Sequence, residues 1–236
     1  SKFAARSLSM GSYPLDRQAP GTEALRQAAE MLAQAERPVV IAGGGIHSSG
    51  AAAQLARLQD TAHLPVATTV MGKGAVDEGH PLSMGVASYF MGHNGSTRFM
   101  RPLIAQADVV LLVGNRTNQN GTDSWQLYPA NARYIHIDID PQEIGRNYEA
   151  FRLVGDAQLT LERLVAELEK INLDKRKKAR ASVEAAIAQG KSSHVAEVAD
   201  LVGSEQSPIR PERIMHEIDK RLTDRSVVVA DASYSS

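Results

Sequence analysis

Cysteine is missing from this chain of 236 residues. That excludes a disulfide framework, a thiolate-ligated zinc site and a thiol nucleophile. No run of 18 apolar residues occurs, so no segment reads as a membrane-spanning helix. Neither charge sign is in surplus: 26 Lys and Arg face 27 Asp and Glu. A strongly basic nucleic-acid binder and an acidic tail protein are thereby excluded. No G-x-S-x-G elbow is present for an acyl nucleophile. The histidines (His47, His63, His80, His93, His136, His194 and His216) offer no pair at metal-ligand spacing beside a carboxylate. Ser1–Arg6 carries neither an initiator methionine nor a signal-peptide pattern, and Ser236 follows soon after an apolar run. Both ends read as cut from a longer protein.

What is present alternates between two periodicities. Residues 1–20 hold Gly11, Pro14 and Pro20 and read as an interdomain linker. Leu25, Ala28, Ala29, Leu32 and Ala33 recur at helical spacing through Thr22–Glu36. Val39–Ile41, Leu64–Thr69, Asp108–Val113, Arg133–Ile137 and Arg152–Val154 read as short buried strands, each closed by a glycine or aspartate loop. Between them Gly50–Ala62, capped by Ser48 or Ser49, Thr97–Gln106 and Leu159–Ile171 read as helices. Asp140-Pro141-Gln142-Glu143 carries the N-cap, first-turn proline and capping-box glutamate of another. Residues 75–95 read as a long loop.

This alternation predicts an α/β domain over residues 21–171: a Rossmann-like parallel sheet of five or six strands with helices on both faces. Residues 172–208 read as a helical linker, with Lys175, Arg176, Lys177, Lys178 and Arg180 as a solvated charge run. Residues 209–236 hold a helix, Glu212–Leu222, and a strand, Val227–Ala230, that opens a second, truncated domain.

In open parallel sheets, ligands sit beyond the carboxyl ends of the strands. That rule singles out Gly43, Gly44 and Gly45, Thr69, Met71 and Gly72, Gly114 and Arg116, Asp138 and Ile139, and Gly155 and Asp156. Glycines let a phosphate approach the backbone, Arg116 offers a charged fork, and Asp138 can accept from ribose hydroxyls. Each glycine turn alone is equally a plain tight turn; five at successive strand ends favour a nucleotide site. The ordinary dinucleotide fingerprint fails, because Ser48 holds the third glycine position and the second strand ends without an acid. Gly72-Lys73-Gly74 lacks the spacing of a P-loop. No paired-carboxylate site is read from Asp138 and Asp140. His136 reads as structural and His63 as a capping or surface residue, and His47 and His93 lie in loops. The residues predict binding and show no catalytic machinery.

Five segments in order resemble a known family. They are Arg37–Gly45, Leu64–Gly74, Ala107–Arg116, Ile135–Pro141 and Val154–Ala157. Together they resemble the central domain of thiamine-diphosphate-dependent enzymes, the acetolactate synthase-like group above all. The resemblance implies a 2-oxo acid decarboxylase or carboligase built from three domains, with an active site between two subunits of a homodimer or homotetramer. It implies thiamine diphosphate and Mg²⁺ held by residues outside this chain, a cytoplasmic location, and no nucleic-acid or membrane partner. It also implies FAD or ADP, or neither, at the strand-end residues above, extended to Ala157. Two departures from flavin-binding members stand near the isoalloxazine end. Thr117-Asn118-Gln119-Asn120 replaces Phe-Asp-Asp-Arg, and a longer Gly85–His93 segment replaces Gly-Met-His-Gly. A stand-alone nucleotide or flavin module is the alternative.

Overall fold

The computed structural model describes residues 16–223 and 225–229. Six parallel strands form one sheet: β1 (Pro38–Ala42), β2 (Val66–Thr68), β3 (Ser83–Val86), β4 (Val109–Val113), β5 (Arg133–Asp138) and β6 (Ala150–Val154). Their spatial order is β3-β2-β1-β4-β5-β6, so the connection reverses direction between β1 and β4. Successive residues of each strand point to opposite faces, and the two faces bury separate cores. Val40, Leu111 and Ile135 face α1 (Thr22–Gln34), α3 (Ala52–Thr61) and α5 (Ala157–Leu168). Val39, Val110 and Tyr134 face α4 (Arg101–Ala105) and the 29-residue α6 (Asp174–Val202). The doubly wound α/β reading therefore holds, with helices on both faces.

Four local readings change. The segment 75–95 contains β3, which pairs Ser83 with Val66 and Val86 with Thr68. Thr97–Gln106 is a 3-10 turn, Arg98–Met100, running into the short α4. No helix follows Asp140. Asp138 Oδ1 accepts from the Asp140 amide and Asp140 Oδ1 from the Gln142 amide, both at 2.9 Å. Gly145 then has φ +78°. These side-chain bonds offer the backbone a turn in place of a helix. Finally, Val227 and Val229 are 86% and 91% exposed and lie in no strand. A buried parallel strand needs a neighbour on each side, and no sheet flanks them among the described residues. Ala230 lies outside the described residues, as do positions 1–15 of the expected linker.

The charge run on α6 is only partly solvated. Arg176 is buried, Lys175 reaches the Gln34 carbonyl at 2.7 Å, and Ile187 enters the second core. The basic residues thus dock α6 onto the domain, followed by α7 (Pro211–Asp219).

Candidate functional site

The strand-end residues lie along one line. The Thr69 amide donates to the Ala42 carbonyl, Gly43 to Val113, Gly114 to Ile137 and Gly155 to Asp138, all at 2.8–2.9 Å. The sheet ladder thus runs one residue past each strand before the chain turns away. Every sequence-predicted position is on this carboxyl edge, centred on the β1–β4 reversal, where open sheets hold their ligands.

The glycines there answer chiefly to contacts within the chain. A Cβ on Gly43 would stand 2.2 Å from the Gly114 oxygen, and one on Gly45 2.6 Å from Gly114 Cα. A Cβ on Gly72 would stand 2.3 Å from the Ala42 oxygen. Gly114 has φ +55°, which favours glycine. The turns after β1, β2 and β4 are therefore packed backbone against backbone. Gly44 differs: its nearest neighbour is the Met71 side chain, itself 75% exposed.

The polar groups divide into two sets. Around the reversal, exposed Arg116 has no ion-pair partner among the described residues. Asp138 is nearly buried and uses one carboxylate oxygen on the Asp140 amide. Ile139 is 65% exposed beside it. An exposed guanidinium, a nearly buried carboxylate and two exposed apolar side chains, Met71 and Ile139, thus stand along one edge. Thr69 Oγ1 accepts from the Gly72 amide at 3.2 Å, which shapes the turn that carries Met71.

The second set is engaged by the chain itself. Asp156 is the N-cap of α5, accepting from the Leu159 amide at 3.1 Å. Its carboxylate also takes Arg17 Nη1 at 2.8 Å and Ser49 Oγ at 2.7 Å. These hydrogen bonds outweigh burial and hold its pKa below the usual carboxylate value. The Gln18 carbonyl accepts from the Asp156 amide, so the segment before α1 straps over Gly155, Asp156 and the first α5 residue, Ala157. Sequence reading missed Arg17, and took Ser49 for a helix cap. Its hydroxyl joins Asp156 to the Gln158 amide instead. Nothing local announces a partner 107 residues away.

A buried hydrogen-bond cluster walls the β4 end. Asn115 Oδ1 accepts from the Thr117 amide at 2.9 Å, and Asn115 Nδ2 donates to the Tyr128 hydroxyl. The Thr117 carbonyl accepts from Trp125 Nε1 and Asn147 Nδ2, both at 3.0 Å. His136, mid-strand in β5, is 1% exposed with Nε2 unpartnered. His63 Nδ1 accepts from Arg180 Nη1 at 3.1 Å, and His47 Nε2 lies 3.0 Å from the Lys73 carbonyl. Among the described residues no group of His, Asp and Glu has the arrangement of a metal site. A concavity of about 750 Å³ lies elsewhere, by the amino ends of β5 and β6 between Tyr134, Tyr148 and Phe151.

Known proteins resemble this chain in sequence and in fold. Residues 25–164 match the family model described as thiamine pyrophosphate enzyme, central domain. A protein of Methanocaldococcus jannaschii named "Probable acetolactate synthase large subunit" is 34% identical over 215 residues, covering 88% of this chain and 34% of its own length. A glyoxylate carboligase of Escherichia coli O157:H7 is 30% identical over 208 residues, again covering 88% of this chain and 34% of its own length. The chain thus spans about a third of the curated relatives it matches. A solved thiamin diphosphate-dependent enzyme from Mycobacterium smegmatis superposes with a TM-score of 0.53 at 22% identity, over 66% of this chain and 29% of that one, a likeness of fold.

Proposed function

Because this chain belongs to the thiamine pyrophosphate enzyme family and is its central domain, we propose that it works within a thiamine-diphosphate-dependent 2-oxo acid decarboxylase or carboligase of the acetolactate synthase type. The match over residues 25–164 carries the reading; the names of the relatives support the reaction class. The domain's own task is to bind and position. In this reading thiamine diphosphate and its metal are held by other parts of the protein, and no chemical step is attached to this domain. A homodimer or homotetramer in the cytoplasm is the proposed setting; no helix of the described residues is long and apolar enough to cross a membrane.

The carboxyl edge fits the adenosine diphosphate part of FAD or ADP. Arg116 would pair with the diphosphate, Asp138 would accept from the ribose, and the neighbouring Ile139 would meet the adenine. Gly155, Asp156 and Ala157 would support that edge through the strap. The reading is tested on the protein expressed from its complete reading frame. Consumption of pyruvate with thiamine diphosphate and Mg²⁺ is expected; failure with pyruvate and other short 2-oxo acids overturns it. Titration with ADP and FAD tests the edge separately.

A further inference from the structure

At the amino ends of β1 and β2, opposite the carboxyl edge, a cleft of about 60 Å³ lies under α6. A water needs about 10–15 Å³ by that measure, so the space admits several waters or one small organic molecule. Its walls are apolar where Pro38, Pro65, Leu103 and Val183 meet, and polar where Arg176 and His63 enter.

Arg176 is 4% exposed. Its Nη2 donates to the Glu36 carbonyl at 3.0 Å, and its Nε is buried without a partner. The carboxylates around it are committed elsewhere. Glu36 pairs with Lys175, Glu184 pairs with Arg180, and Asp108 accepts from the Glu36 and Arg37 amides at 2.7 and 2.8 Å. Among the described residues no carboxylate lies within 4.0 Å of Arg176. A buried guanidinium is costly unless an anion pairs with it. His63 lines the same cleft. Arg180 Nη1 lies 3.1 Å from His63 Nδ1, and because arginine can only donate, the ring's proton is placed on Nε2.

We propose that this cleft binds a short-chain monocarboxylate, its carboxylate on Arg176 and His63 and its alkyl end against Pro38, Pro65, Leu103 and Val183. An inorganic anion would answer the guanidinium and leave the apolar wall unused. The ligand would touch both the sheet edge and α6, so binding would hold α6 against the domain.

Sodium propionate, acetate and chloride are titrated into the purified protein at constant ionic strength, with calorimetry and amide exchange on α6 as readouts. Saturable propionate binding about tenfold tighter than chloride, with slower exchange in α6, is expected. Arg176→Met should abolish it. Val183→Trp keeps the guanidinium and fills the apolar wall, so it should remove the preference for propionate over chloride. This second variant decides the matter if Arg176→Met does not fold. The proposal is overturned by non-saturable propionate binding, by equal affinity for chloride, or by variants that bind as the parent does.

Discussion

A single added carbon separates a glycine packed against backbone from one in open space. Gly43→Ala drives its Cβ into the Gly114 carbonyl, and overpacking of that kind costs about 3 kcal/mol. Gly21→Ala meets nothing within 4 Å and should cost less than about 1 kcal/mol. Urea melts of the two variants check the pair. Asp156→Ala should also act on stability, by about 1–2 kcal/mol through the α5 cap and the Arg17 tie. Arg116→Gln and Asp138→Asn should instead weaken ADP binding about tenfold each with little change in the melt. The sequence named these positions together; the contacts sort them. Glycine after a strand is the same letter whether it clears space for a phosphate or for another backbone.

Among the elements, those with strong periodicity were legible and those shaped by neighbours were not. β4 is a continuous apolar run and reads as a strand in isolation. β3 holds a glycine at φ +76° and becomes a strand by pairing with β2. The Asp140 segment has a complete capping box, yet the adjacent Asp138 carboxylate draws its first amide into a turn. Ile187 is buried on an α6 whose apolar residues form no single stripe, so a pattern search does not pick it out; Ile187→Ala should cost about 2–4 kcal/mol and loosen that helix in amide exchange. In β5, burial holds His136 below its usual pKa of 6.5. His63 is lowered too, by burial and then by Arg180 and Lys177. As pH falls through about 6.5 the unfolded chain therefore takes up protons first, and stability should decline until the folded pKa values are reached. His136→Leu should flatten that slope. Urea midpoints between about pH 7.5 and pH 5 measure it. The lowered pKa of Asp156 acts separately, its contribution being lost below the ordinary aspartate value of 3.8.

At the scale of the molecule, the 236-residue chain is expected to bind without catalysing. With thiamine diphosphate, Mg²⁺ and pyruvate it should release no CO₂; turnover by this piece alone would contradict the assignment of the chemistry to other segments. ADP at about one hundred times its Kd should stabilise it by about 2.7 kcal/mol, seen as a raised melting midpoint. The absence of such a shift would leave the carboxyl edge a structural joint.

The sequence by itself determined the fold class, five of the six strands, the direction of the sheet and the identity of the edge residues. Those properties follow from hydrophobic period and from where each strand stops, which are local. Tertiary structure decided which groups on that edge are free. Asp156 is taken by Arg17, 139 residues away, whereas Arg116 is not taken among the described residues. It also decided that a charge run meant for solvent would bury Arg176. Hydrogen-bond and charge partners distant in sequence are set by the packing of whole elements, and a linear pattern carries no record of them.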